Sequence, residues 1–108
     1  MMDPRAYRTR VDDTLRRIDA AFEDVDPDAA ESDYAQGTLV VTFKQTHKLI
    51  LSPQAPVHQL WVAFRDRAWH FNWDETAGRW LDDRGQGVEL LALISELASR
   101  EAGVELSP

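Results

Sequence analysis

His58-Gln59-Leu60-Trp61-Val62-Ala63-Phe64, the turn Arg65-Asp66-Arg67, and Ala68-Trp69-His70-Phe71-Asn72-Trp73 read as two alternating runs set back to back. A period of two is the mark of a strand with one covered face. In the first run Leu60, Val62 and Phe64 fall on one side, leaving Gln59, Trp61 and Ala63 on the other. In the second, Trp69, Phe71 and Trp73 alternate with Ala68, His70 and Asn72, so His70 belongs on the side of Trp61. Antiparallel sheets can leave one face wet. A Trp beside a Gln on such a face is a candidate contact residue. The bland alternative is that side chains of neighbouring strands partly cover it.

Working outward, Thr38 to Phe43 alternates in the same way, and Lys48 to Leu51 is a second short apolar strand. Their link, Lys44-Gln45-Thr46-His47, lacks the Asn-Gly of an obvious hairpin, so its turn type stays open. Ser52 to Pro56 reads as a loop and Arg79 to Leu81 as a short strand. A further strand can be placed at Asp33 to Gln36, before Gly37. Helices flank this run. Asp3-Pro4 is an N-cap followed by a first-turn proline. Tyr7, Val11, Leu15, Ile18, Phe22 and Val25 then recur at helical spacing, and Pro27 predicts a stop near Val25. Val88 to Ala102 is the second helix, with Leu90, Leu91, Ile94, Leu97 and Ala98 as its buried stripe and Gly103 as its C-cap. Helix, strands, helix predicts an α+β fold: one domain over residues 1–108, its antiparallel sheet of five to six strands covered on one face by both helices.

The charge is distributed unevenly. Asp19, Glu23, Asp24, Asp26, Asp28, Glu31 and Asp33 follow one another with no Lys or Arg between them, and the rest of the chain has 12 acids against 12 bases. This one stretch therefore carries the whole net charge of −7. Like charges so close repel, and those at a helix C-terminus also oppose its dipole, at about 0.3–1 kcal/mol each. Such a band points to a cationic partner, either a metal ion or a basic protein surface. Carboxylate oxygens suit hard cations, though an exposed cluster binds them weakly and selects poorly among them. The plain reading is a solvated acidic surface. A calcium EF-hand fails: Asp24, Asp26 and Asp28 open correctly, but Ala29 and Ala35 stand where the loop needs Gly and Glu.

Other classes fall away. With no Cys there are no thiolate ligands, disulfides or cysteine nucleophiles. No basic stripe exists to bind nucleic acid, and no apolar run reaches membrane-spanning length. His47, His58 and His70 lack zinc-site spacing, and there is no nucleophile elbow, P-loop or dinucleotide glycine pattern. The chain reads as a cytoplasmic monomer without enzyme chemistry.

Pro56-Val57-His58-Gln59-Leu60-Trp61-Val62-Ala63, then Trp69-His70-Phe71, then Trp80 ahead of Arg84-Gly85, resemble the strand motifs of bacterial frataxin, the CyaY family. The acidic first helix running into an acidic first strand resembles it too. The resemblance implies a two-layer α–β–α sandwich that binds iron (Fe²⁺ or Fe³⁺) weakly. It also implies a role in iron–sulfur cluster assembly, as an iron donor or regulator that binds cysteine desulfurase and the cluster scaffold protein. By position, the iron ridge would be Asp19, Glu23, Asp24, Asp26, Asp28, Glu31 and Asp33, and the sheet-face contacts Gln59, Trp61 and His70. The alternative is an acidic protein-interaction module whose metal binding is incidental. The chain departs from the pattern at Ser52-Pro53, at Gln45-Thr46, in a longer Asp74–Gly78 loop, and at Arg8, where some relatives have a histidine ligand.

Overall fold

The computed structural model describes residues 2–108. Helix α1 (Pro4–Ala21) leads into strands β1 (Ala30–Ala35), β2 (Thr38–Phe43) and β3 (His47–Gln54), followed by a single 3₁₀ turn, Ala55–Val57. Strands β4 (Gln59–Phe64), β5 (Arg67–Asp74) and β6 (Arg79–Asp82) then precede helix α2 (Leu90–Ala102). The six strands form one antiparallel sheet in sequence order, each paired with the next. Alternate strand residues, Leu39, Val41 and Phe43, Leu49 and Leu51, Leu60, Val62 and Phe64, close a core with Tyr7, Val11, Leu15 and Ile18 of α1 and Leu90, Leu93, Ile94 and Leu97 of α2. Both helices therefore cover one face of the sheet and leave the other open, as the alternation predicts. Two side-chain bonds fasten α1 to the far strands: Tyr7 Oη donates to the Gln59 carbonyl (2.6 Å), and Trp80 Nε1 donates to Thr14 Oγ1 (2.9 Å).

Three boundaries differ most from the sequence reading. First, α1 ends at Ala21, a turn before Val25. The chain continues in tight turns, with Glu23 N–H on the Ala20 carbonyl and Val25 N–H on that of Phe22. No base lies in the last helical turn to offset the acids there, so the helix yields before Pro27 requires it. Second, Ser52-Pro53-Gln54 is strand, not loop: Pro53 pairs with Leu60. The pairing of β3 with β2 stops at Leu51, so Pro53 lies where its missing N–H deprives no neighbour. Third, the acidic strand β1 begins at Ala30 and is one edge of the sheet. Helix α2 begins at Leu90 rather than Val88, because the side chain of Glu89 caps it there by accepting from the Leu91 and Ala92 N–H groups, and Leu93 rather than Leu91 is buried. The β2–β3 turn is built by Lys44 and Gln45 at φ of 49° and 64°, with the Thr46 N–H on the Phe43 carbonyl.

Candidate functional site

The seven acids lie along the β1 edge of the molecule. Asp19, in the last turn of α1, is half-buried and accepts a hydrogen bond from the Ser32 hydroxyl, so it faces the helix side of β1. Glu23, Asp24, Asp26 and Asp28 are exposed in the connection to β1. Glu31 and Asp33 sit opposite Thr42 and Val40, positions that alternate with buried Leu39, Val41 and Phe43, so both point to the open face. The band thus wraps the edge from the helix layer to the sheet face, because α1 has ended before Glu23. Asp26 Oδ1 accepts from the Asp28 N–H (2.9 Å) and Asp28 Oδ1 from Gln45 Nε2 (2.9 Å). Among the described residues none of the seven carboxylates is ion-paired.

The band's upstream limit is Asp12. Its carboxylate accepts from Tyr34 Oη (2.6 Å) and from Arg16 Nε (2.9 Å). The Tyr34 bond first, and Arg16 second, hold the Asp12 carboxyl below its ordinary range. Burial and the same bond push Tyr34 up to about 12. Arg16 therefore neutralises the first half of the α1 surface, and uncompensated charge begins at Asp19.

Carboxylate oxygens are suitable donors for a hard cation such as iron. Among the described residues, however, no group of three or more His, Asp or Glu is arranged to hold one ion between them.

On the open face, β4 and β5 bring together the three predicted contact residues. Trp61 pairs with His70, and their rings stack at 4.2 Å with 15° between planes. Trp61 Nε1 donates to Gln59 Oε1 (2.8 Å), and Gln59 Nε2 reaches Asn72 Oδ1 (3.2 Å) and Asp83 Oδ2 (3.3 Å). Asp83 Oδ2 is also 3.4 Å from His70 Nδ1. Asp83 escaped the sequence reading because Asp82 to Gly87 looks like turn chemistry alone. The available signal was register: Phe71 pairs with Asp82, which carries residue 83 across to His70. Beyond Trp61 the same face carries Ser52, Ala63 and Ile50, the last 38% exposed. Trp61 is thus half-covered, with His70 on one face and only the small Ser52 opposite it on β3.

A sequence model of the frataxin-like domain matches residues 1–104. The chain is 38% identical over 104 residues to the iron–sulfur cluster assembly protein CyaY of Pseudomonas aeruginosa, covering 96% of this chain and 94% of that one. It is 32% identical over 106 residues to the protein of the same name from Tolumonas auensis, covering 98% of each. Among solved structures, frataxin from Psychromonas ingrahamii superimposes with a TM-score of 0.87 at 24% identity, over 98% of this chain and 97% of the other. Trimeric frataxin from Saccharomyces cerevisiae, solved complexed with ferrous iron, gives 0.64 at 18% identity, over 96% and 88%. At those identities the structural likeness is one of fold, while the sequence matches carry the kinship. The chain belongs to the frataxin-like family, among the bacterial CyaY proteins.

Proposed function

We propose that this chain acts in iron–sulfur cluster assembly, binding iron weakly along Asp19, Glu23, Asp24, Asp26, Asp28, Glu31 and Asp33 and docking the same band on a basic surface of cysteine desulfurase. Gln59, Trp61 and His70 complete the contact with the desulfurase or the cluster scaffold. The observation that carries the reading is the run of carboxylates left, among the described residues, without a cationic partner at one edge of an otherwise charge-balanced molecule. Iron bound there would neutralise part of the band and change how it docks. Titration with Fe²⁺ or Fe³⁺, followed by amide chemical shifts, tests the metal claim: changes should concentrate at residues 19–33, and evenly scattered changes would remove it. Charge reversal at Glu23 and Asp26 should weaken desulfurase binding most at low salt, where screening is least. Unchanged affinity there would remove the docking claim.

A second reading is favoured by the lack of three convergent metal donors among the described residues. On it, the band is a docking surface and its iron binding is incidental. The two part on one measurement: whether iron at physiological concentration changes desulfurase affinity.

A further inference from the structure

We infer that Asp83 is a positioning residue for the sheet-face contact, fixing the orientation of Trp61 through Gln59 and His70. This rests on the reading of the Trp61 face as a docking surface. Four side chains close a ring. Trp61 Nε1 donates to Gln59 Oε1, Gln59 Nε2 to Asp83 Oδ2, His70 Nδ1 lies 3.4 Å from the same carboxylate oxygen, and the His70 ring stacks back on Trp61 at 4.2 Å. An indole on an open sheet has two free torsions, and ordering it on docking costs affinity. Here the ring is ordered beforehand: its N–H is turned to Gln59 within the protein and one π-face is covered. What remains for a partner is the other face, above Ser52, an aromatic surface with no donor of its own to satisfy. It suits an aliphatic, aromatic or guanidinium side chain.

Asp83 is the member that joins the two arms. The amide of Gln59 orients the indole edge, the imidazole of His70 orients its face, and both meet at one carboxylate oxygen. The residue is itself anchored, since its backbone N–H donates to the His70 carbonyl (2.8 Å), a bond that any residue at position 83 retains. The sign of the charge matters because a protonated His70 would gain an ion pair with Asp83 and a cation–π contact with Trp61. The other charged groups lining the recess beside His70 are Asp66 and Arg67 from the β4–β5 turn, Asp82 at the end of β6, and Arg84 beyond it. Of the carboxylates in this recess, Asp83 is the one with an oxygen within 4 Å of the His70 ring.

The test compares wild type with Asp83→Ala and Asp83→Asn, reading the Trp61 indole N–H resonance, assigned by its loss in Trp61→Phe. In Asp83→Ala the resonance should shift and its exchange with solvent quicken about fivefold to tenfold, the scale of one lost hydrogen bond. Asp83→Asn keeps an acceptor for Gln59, so it should restore most of the protection. A Trp61 resonance and exchange rate unmoved in Asp83→Ala overturn the inference, whatever happens to melting temperature. Affinity for purified desulfurase and scaffold gives the functional arm: Asp83→Ala should weaken binding about fivefold, and have no further effect in a Trp61→Ala background. Fully additive losses would refute a role through Trp61. If wild type binds neither protein, the docking reading fails while the resonance measurements still decide the role of Asp83.

Discussion

Tyr34 and Asp12 share a hydrogen bond 2.6 Å long, and each keeps the other from titrating in its ordinary range. The signs follow from which state holds the proton. Burial and then Asp12 raise Tyr34 from 10.0 to about 12, so its contribution to stability is whole below pH 10 and is lost as pH climbs towards 12. Asp12 is depressed, so its contribution is present above the ordinary carboxylate pKa and disappears as pH falls through the lowered value. Burial raises Tyr7 as well. Alkaline titration of the folded protein by tyrosinate absorbance should therefore show neither tyrosine ionising near pH 10, and Tyr34→Phe should let the Asp12 carboxyl titrate closer to its usual range. A tyrosine with an ordinary titration curve would contradict the packing of Tyr34 and Tyr7. Tyr7 is 2% exposed and donates to the Gln59 carbonyl. Tyr7→Phe keeps the ring but strands that acceptor, and should lower unfolding free energy in urea by about 1–2 kcal/mol. An unchanged urea midpoint would mean another donor takes its place.

At the scale of the element, α1 is charged against its own dipole. Arg5 and Arg8 stand in its first turns, Asp19 in its last, and Glu23 and Asp24 just beyond, with no acid in the first turn and no base in the last. Glu23→Lys should therefore raise stability by about 0.3–1 kcal/mol while it weakens desulfurase binding. Opposite signs in thermal melts and binding are the signature of a helix end kept unfavourable for a partner. If melting falls, the dipole is not what opposes Glu23. The β2–β3 turn carries a second local strain, since Lys44 and Gln45 both adopt a backbone conformation that favours Gly or Asn. Lys44→Asn should stabilise by several tenths of a kcal/mol to about 1 kcal/mol, read as a higher urea midpoint. No gain would show that the Lys side chain contributes more than its backbone conformation costs.

For the whole molecule, a net charge of −7 gathered at one edge makes salt act in two directions. Raising ionic strength shortens the screening distance to about 10 Å at 0.1 M. Repulsion within the band should then fall and the melting temperature rise, while affinity for a basic partner should drop. Melts insensitive to salt would mean the seven carboxylates do not repel one another strongly enough to matter. Much of this architecture is legible along the chain. Thr38 to Phe43 and Gln59 to Phe64 alternate, and Tyr7 to Ile18 recurs at helical spacing, because those patterns record which side of each element meets the core. The acidic band is legible for the same reason: charge density is a property of neighbours in sequence. The end of α1, the strand at Ser52 to Gln54, the Tyr34–Asp12 bond and the place of Asp83 opposite His70 are not. The end of α1 is a local balance of charge and turn bonds that helical spacing does not record; the others depend on pairing between separate segments, and a period of two or of 3.6 says which way a side chain points without saying which residue it meets. Sequence alone determined the elements, the covered face and the charge. Tertiary pairing decided which of the many polar residues stand within bonding distance, since hydrogen bonds act over about 3 Å and only the assembled sheet brings residue 83 that close to residues 59 and 70.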